Sequence, residues 1–221
     1  MACLLYCITP NVAERLPELA GVADQPLVSY EVPGMRVYWS EIANPDTLIE
    51  PPVRVPAEQK FREVLKEVAV RGTAVAFPFP AVVTGLEAID SLVTEHREYY
   101  ANAFVRLADT VEYQLTATWA DEHSSDLATP VSGREYLKRR EQTESRTAAI
   151  DTKLKTVTAG IVRDWRSRKD RRKHVWYALV AREDRERFVA ALRSAGPSEG
   201  VRLRLSGPWP PGEFLGAPTA S

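Results

Sequence analysis

Residues that most often carry chemistry are scarce in this sequence. Cysteine occurs twice and histidine three times in 221 residues. No window approaches the roughly 18 consecutive apolar residues that a membrane span requires. The opening MACLLYCITP lacks a basic lead-in, so it reads as a buried first strand rather than a secretory signal. Cys3 and Cys7 lie in that strand, about 13 Å apart along an extended chain. That is outside disulfide reach, and reduced buried thiols are the expectation. Neither charge sign dominates: 29 basic residues face 30 acidic ones, for a net charge of −1. Bulk charge therefore steers the chain to neither nucleic acid nor anionic lipid.

Catalytic signatures are missing as well. There is no GxGxxG, no Walker pattern and no GxSxG elbow. His96, His123 and His174 stand far apart, and none has a neighbour at ligand spacing. His123 sits in the acidic stretch ADEHSSD with Asp121, Glu122 and Asp126, where a solvated loop is the simpler reading than a cation site. His96 falls on the apolar stripe of a helix and reads as a packed side chain. No cofactor, no metal and no enzymatic activity are expected.

What is present is a pattern of α+β elements long enough for two small domains. Strands are expected at 2–8, 26–32 and 35–42, the last two joined by the turn dipeptide Pro33-Gly34. A proline-rich connector, 45–56, precedes a helix carrying Phe61, Val64, Leu65 and Val68 at i, i+3, i+4 and i+7, with Pro56 at its first position. A short strand, 73–77, runs into Pro78-Phe79-Pro80. One amphipathic helix is expected from Gly85 to about Leu107, with Leu86, Ile89, Val93, Tyr100, Ala103 and Phe104 on its stripe.

From residue 111 the pattern restarts. Val111, Tyr113, Leu115 and Ala117 alternate with polar residues in a half-buried strand. A long helix is expected from Arg134 to Trp165, its first half nearly all polar and its second half seamed by Ile150, Leu154, Val157 and Ile161. A central strand (174–181), a short helix (185–193) and a last strand (201–205) follow. With one strand unassigned, this approaches a ferredoxin-like split βαβ. The domains are expected to be 1–110 and 111–221.

Two stretches stand out. RDWRSRKDRRKH (163–174) packs seven basic residues against two acidic ones between Arg163 and Lys173. It reads as the cationic end of the long helix and its exit loop. Arg166, Arg168, Lys169, Arg171, Arg172 and Lys173 form a possible partner surface, and the alternative is a nucleic-acid-binding or regulatory module using 163–174 with Trp165 for stacking. The other is LRLSGPWPPGEF (203–214), in which a strand runs into Gly207, Pro208, Trp209, Pro210 and Pro211. The prolines lower the entropy cost of an extended segment. Trp209 and Phe214 are expected to fold it back onto the body, in preference to an exposed PxxP ligand.

GPWPP after an alternating strand resembles the C-terminal signature of the gas vesicle protein F/L family, GvpF/GvpL. LLYCIT, AVAFPF, VEYQLTATW and WYALV follow in matching order. GREYLKRR (133–140), with Gly133, Tyr136 and Leu137, is similar to that family's Gly-x-x-Tyr-Leu-x-x-Arg helix start. The chain departs from the pattern at Gly212-Glu213 and at Pro80-Ala81-Val82, which leaves the F or L subtype open. The resemblance implies a two-domain α+β accessory factor of gas vesicle assembly or a minor component of the vesicle. It implies contacts with the apolar shell protein GvpA and other accessory proteins, a cytoplasmic place at the vesicle, and no nucleic-acid partner.

Overall fold

The computed structural model describes residues 1–12, 16–119, 132–170, 173–196 and 201–216. Among the described residues there are eight strands in two four-stranded sheets, five helices and three short 3-10 turns. By contact the chain divides into two compact units, Met1–Glu112 with Pro208–Ser221, and Tyr113–Gly207. The boundary thus falls inside a strand just beyond residue 110. Of the GPWPP segment, Gly207 ends the second unit and Pro208 to Pro211 belong to the first.

In the first unit, β1 (Ala2–Pro10), β2 (Val28–Val32), β3 (Met35–Ile42) and β4 (Val75–Thr84) form an antiparallel sheet in the order β2-β3-β1-β4. The β2–β3 hairpin turns through Pro33 and Gly34, which places Val32 opposite Met35. Gly34 has φ +83°, a conformation that glycine adopts without steric cost. One apolar core packs α1 (Pro51–Arg71) on one sheet face through Phe61, Val64 and Val68, against Leu4 and Tyr6. A second core uses Ile89, Val93 and Tyr100 on the opposite face, against Cys3, Leu5 and Ile8. Central strand β1 is covered on both sides, which is why it reads as an unbroken apolar run.

Several expectations shift. Helix α1 begins at Pro51, so half of the expected connector is helical and Pro56 lies inside the helix. Strand β4 continues through both prolines to Thr84. Cys7 pairs with Ala76 and Leu5 with Ala81, so residues 77–80 bulge opposite Tyr6. A bulge on an edge strand is where prolines, lacking N–H donors, are tolerated. The expected helix from Gly85 is two, α2 (Leu86–Glu95) and α3 (Arg97–Arg106), divided at His96. His96 leaves helical geometry (φ −110°, ψ 19°) and stacks near Tyr100.

The second unit follows the order β5 (Thr110–Trp119), α4 (Gly133–Val157), β6 (Val162–Asp170), β7 (Lys173–Ala181), α5 (Arg185–Ser194), β8 (Val201–Trp209). Its strands lie in the order β6-β7-β5-β8. The largest correction is here. The long helix ends at Val157, Gly160 turns the chain at φ +72°, and residues 162–170 are a strand antiparallel to β7. Residues 163–170 of the basic run therefore lie in an edge strand, not at a helix terminus. This supplies the strand that the sequence left unassigned.

Candidate partner-binding surfaces

Strand register sorts the side chains of the second unit onto two faces. Trp165, Ser167 and Lys169 lie opposite Ala178, Trp176 and His174. This face meets the helices. Trp176 Nε1 donates to Asp151 Oδ1 at 3.1 Å, and Lys169 pairs with Glu144 at 3.4 Å. Phe188 of α5, fully buried, packs its ring at a tilt 4.9 Å from that of Tyr113 and 6.5 Å from that of Trp165. Trp165 itself is half-buried.

Arg166 and Arg168 share the other face, opposite Tyr177 and Val175, and both are exposed. Alternation also puts Arg202 and Arg204 of β8, the opposite edge strand, out of phase with Val201, Leu203 and Leu205. Both are exposed. Cations on each outer strand discourage edge-to-edge sheet pairing with an uncharged neighbour and favour an acidic one. Lys169 and Lys173 are exposed at the end of the β6–β7 hairpin. Arg171 and Arg172 fall outside the described residues, as does the acidic stretch with Asp121, Glu122, His123 and Asp126.

On the helix side, His174 lies 4.2 Å from the Trp176 ring. Burial lowers its pKa; nearby Lys169 acts the same way, while Asp151 opposes them. Between α4, α5 and β8 opens a groove of about 660 Å³. Its apolar floor includes Leu115, Leu154, Val189, Leu192 and Leu203. Its lining includes the cationic residues Lys153, Arg193 and Arg202. The alternation of Val201, Leu203 and Leu205 was visible in sequence, but nothing local signalled that the helices leave them partly uncovered.

The C-terminal motif belongs to the first unit from Pro208 onward. Gly207 takes φ +127°, Trp209 ends β8 half-buried, and Pro210 and Pro211 are buried. Gly212 N–H donates to the Pro210 carbonyl at 2.7 Å, closing a tight turn. Phe214 is 2% exposed, and Leu215 packs on the second core. Glu213 N–H donates to Glu112 Oε2 at 2.7 Å, and Arg106 Nη2 donates to the Phe214 carbonyl at 3.0 Å. Phe214 is thus the deeper anchor and Trp209 the shallower. Gly133 opens α4, which includes Tyr136, and Leu137 is 57% exposed.

Among the described residues, no three His, Cys, Asp or Glu side chains converge as a metal site. No described helix is long and apolar enough to cross a membrane. The family model described as gas vesicle synthesis protein GvpL/GvpF matches residues 2–216. The fold is similar to the crystal structure of gas vesicle protein GvpF from Microcystis aeruginosa, with a TM-score of 0.74 and 16% identity, covering 97% of this chain and 99% of that one. It is similar also to GvpF from Anabaena sp. PCC7120, with a TM-score of 0.71 and 17% identity, covering 97% and 98%. No curated protein sequence matches significantly.

Proposed function

The chain belongs to the GvpL/GvpF family of gas vesicle synthesis proteins, and from that membership we propose that it is an accessory protein of vesicle assembly acting by protein–protein contact. The observation that carries this reading is the family match across residues 2–216. In detail, the protein binds unassembled shell protein GvpA and other accessory proteins, in the cytoplasm at the growing vesicle, and catalyses no reaction. The β-α-β-β-α-β order of the second unit, with strands ordered β6-β7-β5-β8, supports a ferredoxin-like reading of that unit.

The physical need is direct. A shell subunit rich in apolar β structure presents sheet edges and apolar faces before assembly, and these aggregate. A helper with cationic edge strands and an apolar groove offers alternative contacts without itself stacking into sheets. Co-purification tests the proposal: tagged chain should retain GvpA above the level held by an unrelated α+β protein. Charge reversal at Arg166 and Arg168 should weaken that retention and flatten its dependence on salt. Equal retention by the unrelated protein overturns the reading.

A further inference from the structure

The groove of the second unit is bordered by an open sheet edge. Strand β8 ends the order β6-β7-β5-β8, so its outer backbone edge has no strand beside it among the described residues. Three of its alternate side chains, Val201, Leu203 and Leu205, line the groove, and Leu205 is 36% exposed. Val189 and Leu192 of α5 stand in the same wall. Open backbone donors and acceptors beside an apolar trough are the two parts of strand addition. The backbone supplies affinity, and pockets for alternate side chains supply selectivity.

The charges identify the occupant. Lys153, Arg193 and Arg202 line the groove. Lys153 Nζ is held near the rim by the Gly196 carbonyl at 3.4 Å. Cations beside a low-dielectric floor attract carboxylates and repel basic segments.

We propose that this groove receives an extended segment of a partner protein, apolar at alternate positions and carrying carboxylates, which pairs with the free edge of β8 as a fifth strand. Side chains on one face of such a segment recur about every 7 Å, as do Val201, Leu203 and Leu205 of the receiving strand. The inference rests on the reading that this chain works by binding other proteins, but not on the partner being GvpA.

The test uses the full chain and dye-labelled peptides of about eight residues, a common strand length. One alternates valine with glutamate, one alternates valine with lysine, and one is the glutamate peptide N-methylated at alternate amides. Fluorescence anisotropy should give saturable binding of the glutamate peptide, weakened about tenfold or more for the lysine and N-methylated forms. Leu205→Asp, at a surface position, should weaken the glutamate peptide similarly while thermal unfolding shows the fold intact. Arg193→Glu with Arg202→Glu should invert the charge preference. Equal binding of all three peptides overturns the proposal. So does dodecanoate binding in the groove without peptide binding, which would make it a lipid site. Peptide binding without GvpA retention leaves the groove standing and removes the proposed function. GvpA retention that Leu205→Asp does not change, with no peptide bound, does the reverse.

Discussion

Arg106 and Phe214 stand 108 residues apart in sequence, yet the Arg106 guanidinium donates to the Phe214 carbonyl at 3.0 Å. The Phe214 ring is 2% exposed beneath that bond. Removing the ring leaves a cavity that its neighbours fill only in part. Phe214→Ala should cost about 3–5 kcal/mol of stability. Trp209→Ala, at a half-buried site, should cost less, about 1–2 kcal/mol. Chemical denaturation of the two variants checks the order, and a larger loss at Trp209 would contradict the docking described here.

Glu112 holds the same segment from the other side, through the Glu213 N–H at 2.7 Å. Its side chain is buried, with a residue exposure of 6%. Glu112→Ala removes a charge-assisted acceptor and should cost about 1.5–3 kcal/mol. Glu112→Gln keeps an oxygen in place and should lose less. Hydrogen exchange at the Glu213 amide should accelerate in the alanine variant first.

Both thiols are inside the first sheet. Cys7 is fully buried, and burial pushes its pKa far above the usual thiol range; Cys3 is raised for the same reason. Because the thiolate is the reactive form, a thiol-specific reagent should find neither cysteine quickly at neutral pH. Both should react at once in denaturant. Rapid labelling of the native chain would show that β1 opens.

His174 sets a pH dependence. Its folded pKa lies below the ordinary histidine value because burial disfavours the imidazolium. The unfolded chain therefore takes up the proton first as pH falls. The contribution is fully present above about pH 6.5 and declines below it as the pH approaches the folded pKa. His174→Gln should flatten the unfolding free energy across that interval, measured by denaturant titration in steps of pH.

Gly21 touches a buried hydroxyl. Tyr6 Oη accepts from the Val22 N–H at 2.7 Å and meets Ser40 Oγ at 3.0 Å. A Cβ at residue 21 would collide with that oxygen. Gly21→Ala should destabilise by about 1–3 kcal/mol through overpacking, and Tyr6→Phe in the same chain should relieve part of that overpacking, since the colliding oxygen is gone and the nearest ring carbon lies at 3.1 Å.

Much of the fold was legible because its period was unambiguous. The hairpin at Pro33-Gly34, the alternation of β5 and the stripe of α1 follow from spacing alone. Misreadings cluster where two signals overlap. Ile150, Leu154, Val157 and Ile161 keep helical spacing into Trp165, so the helix looked continuous, although Gly160 ends it with a positive φ. The basic residues beyond it suited a helix terminus as well as a charged edge strand, and only pairing with β7 decides between them. His96 hid a break because Val93 and Tyr100 on either side stay in phase with one core. The groove could not be read at all: its lining residues are ordinary core types, and whether a helix covers them depends on tertiary packing.

The return of the C-terminal segment orders events during biosynthesis. A ribosome releases β1 early, but Phe214 and the Glu213 N–H that donates to Glu112 emerge only after β8. The first unit to be translated is thus the last to be completed. A nascent chain halted at β8 would carry a bare apolar seat where Phe214 is later buried.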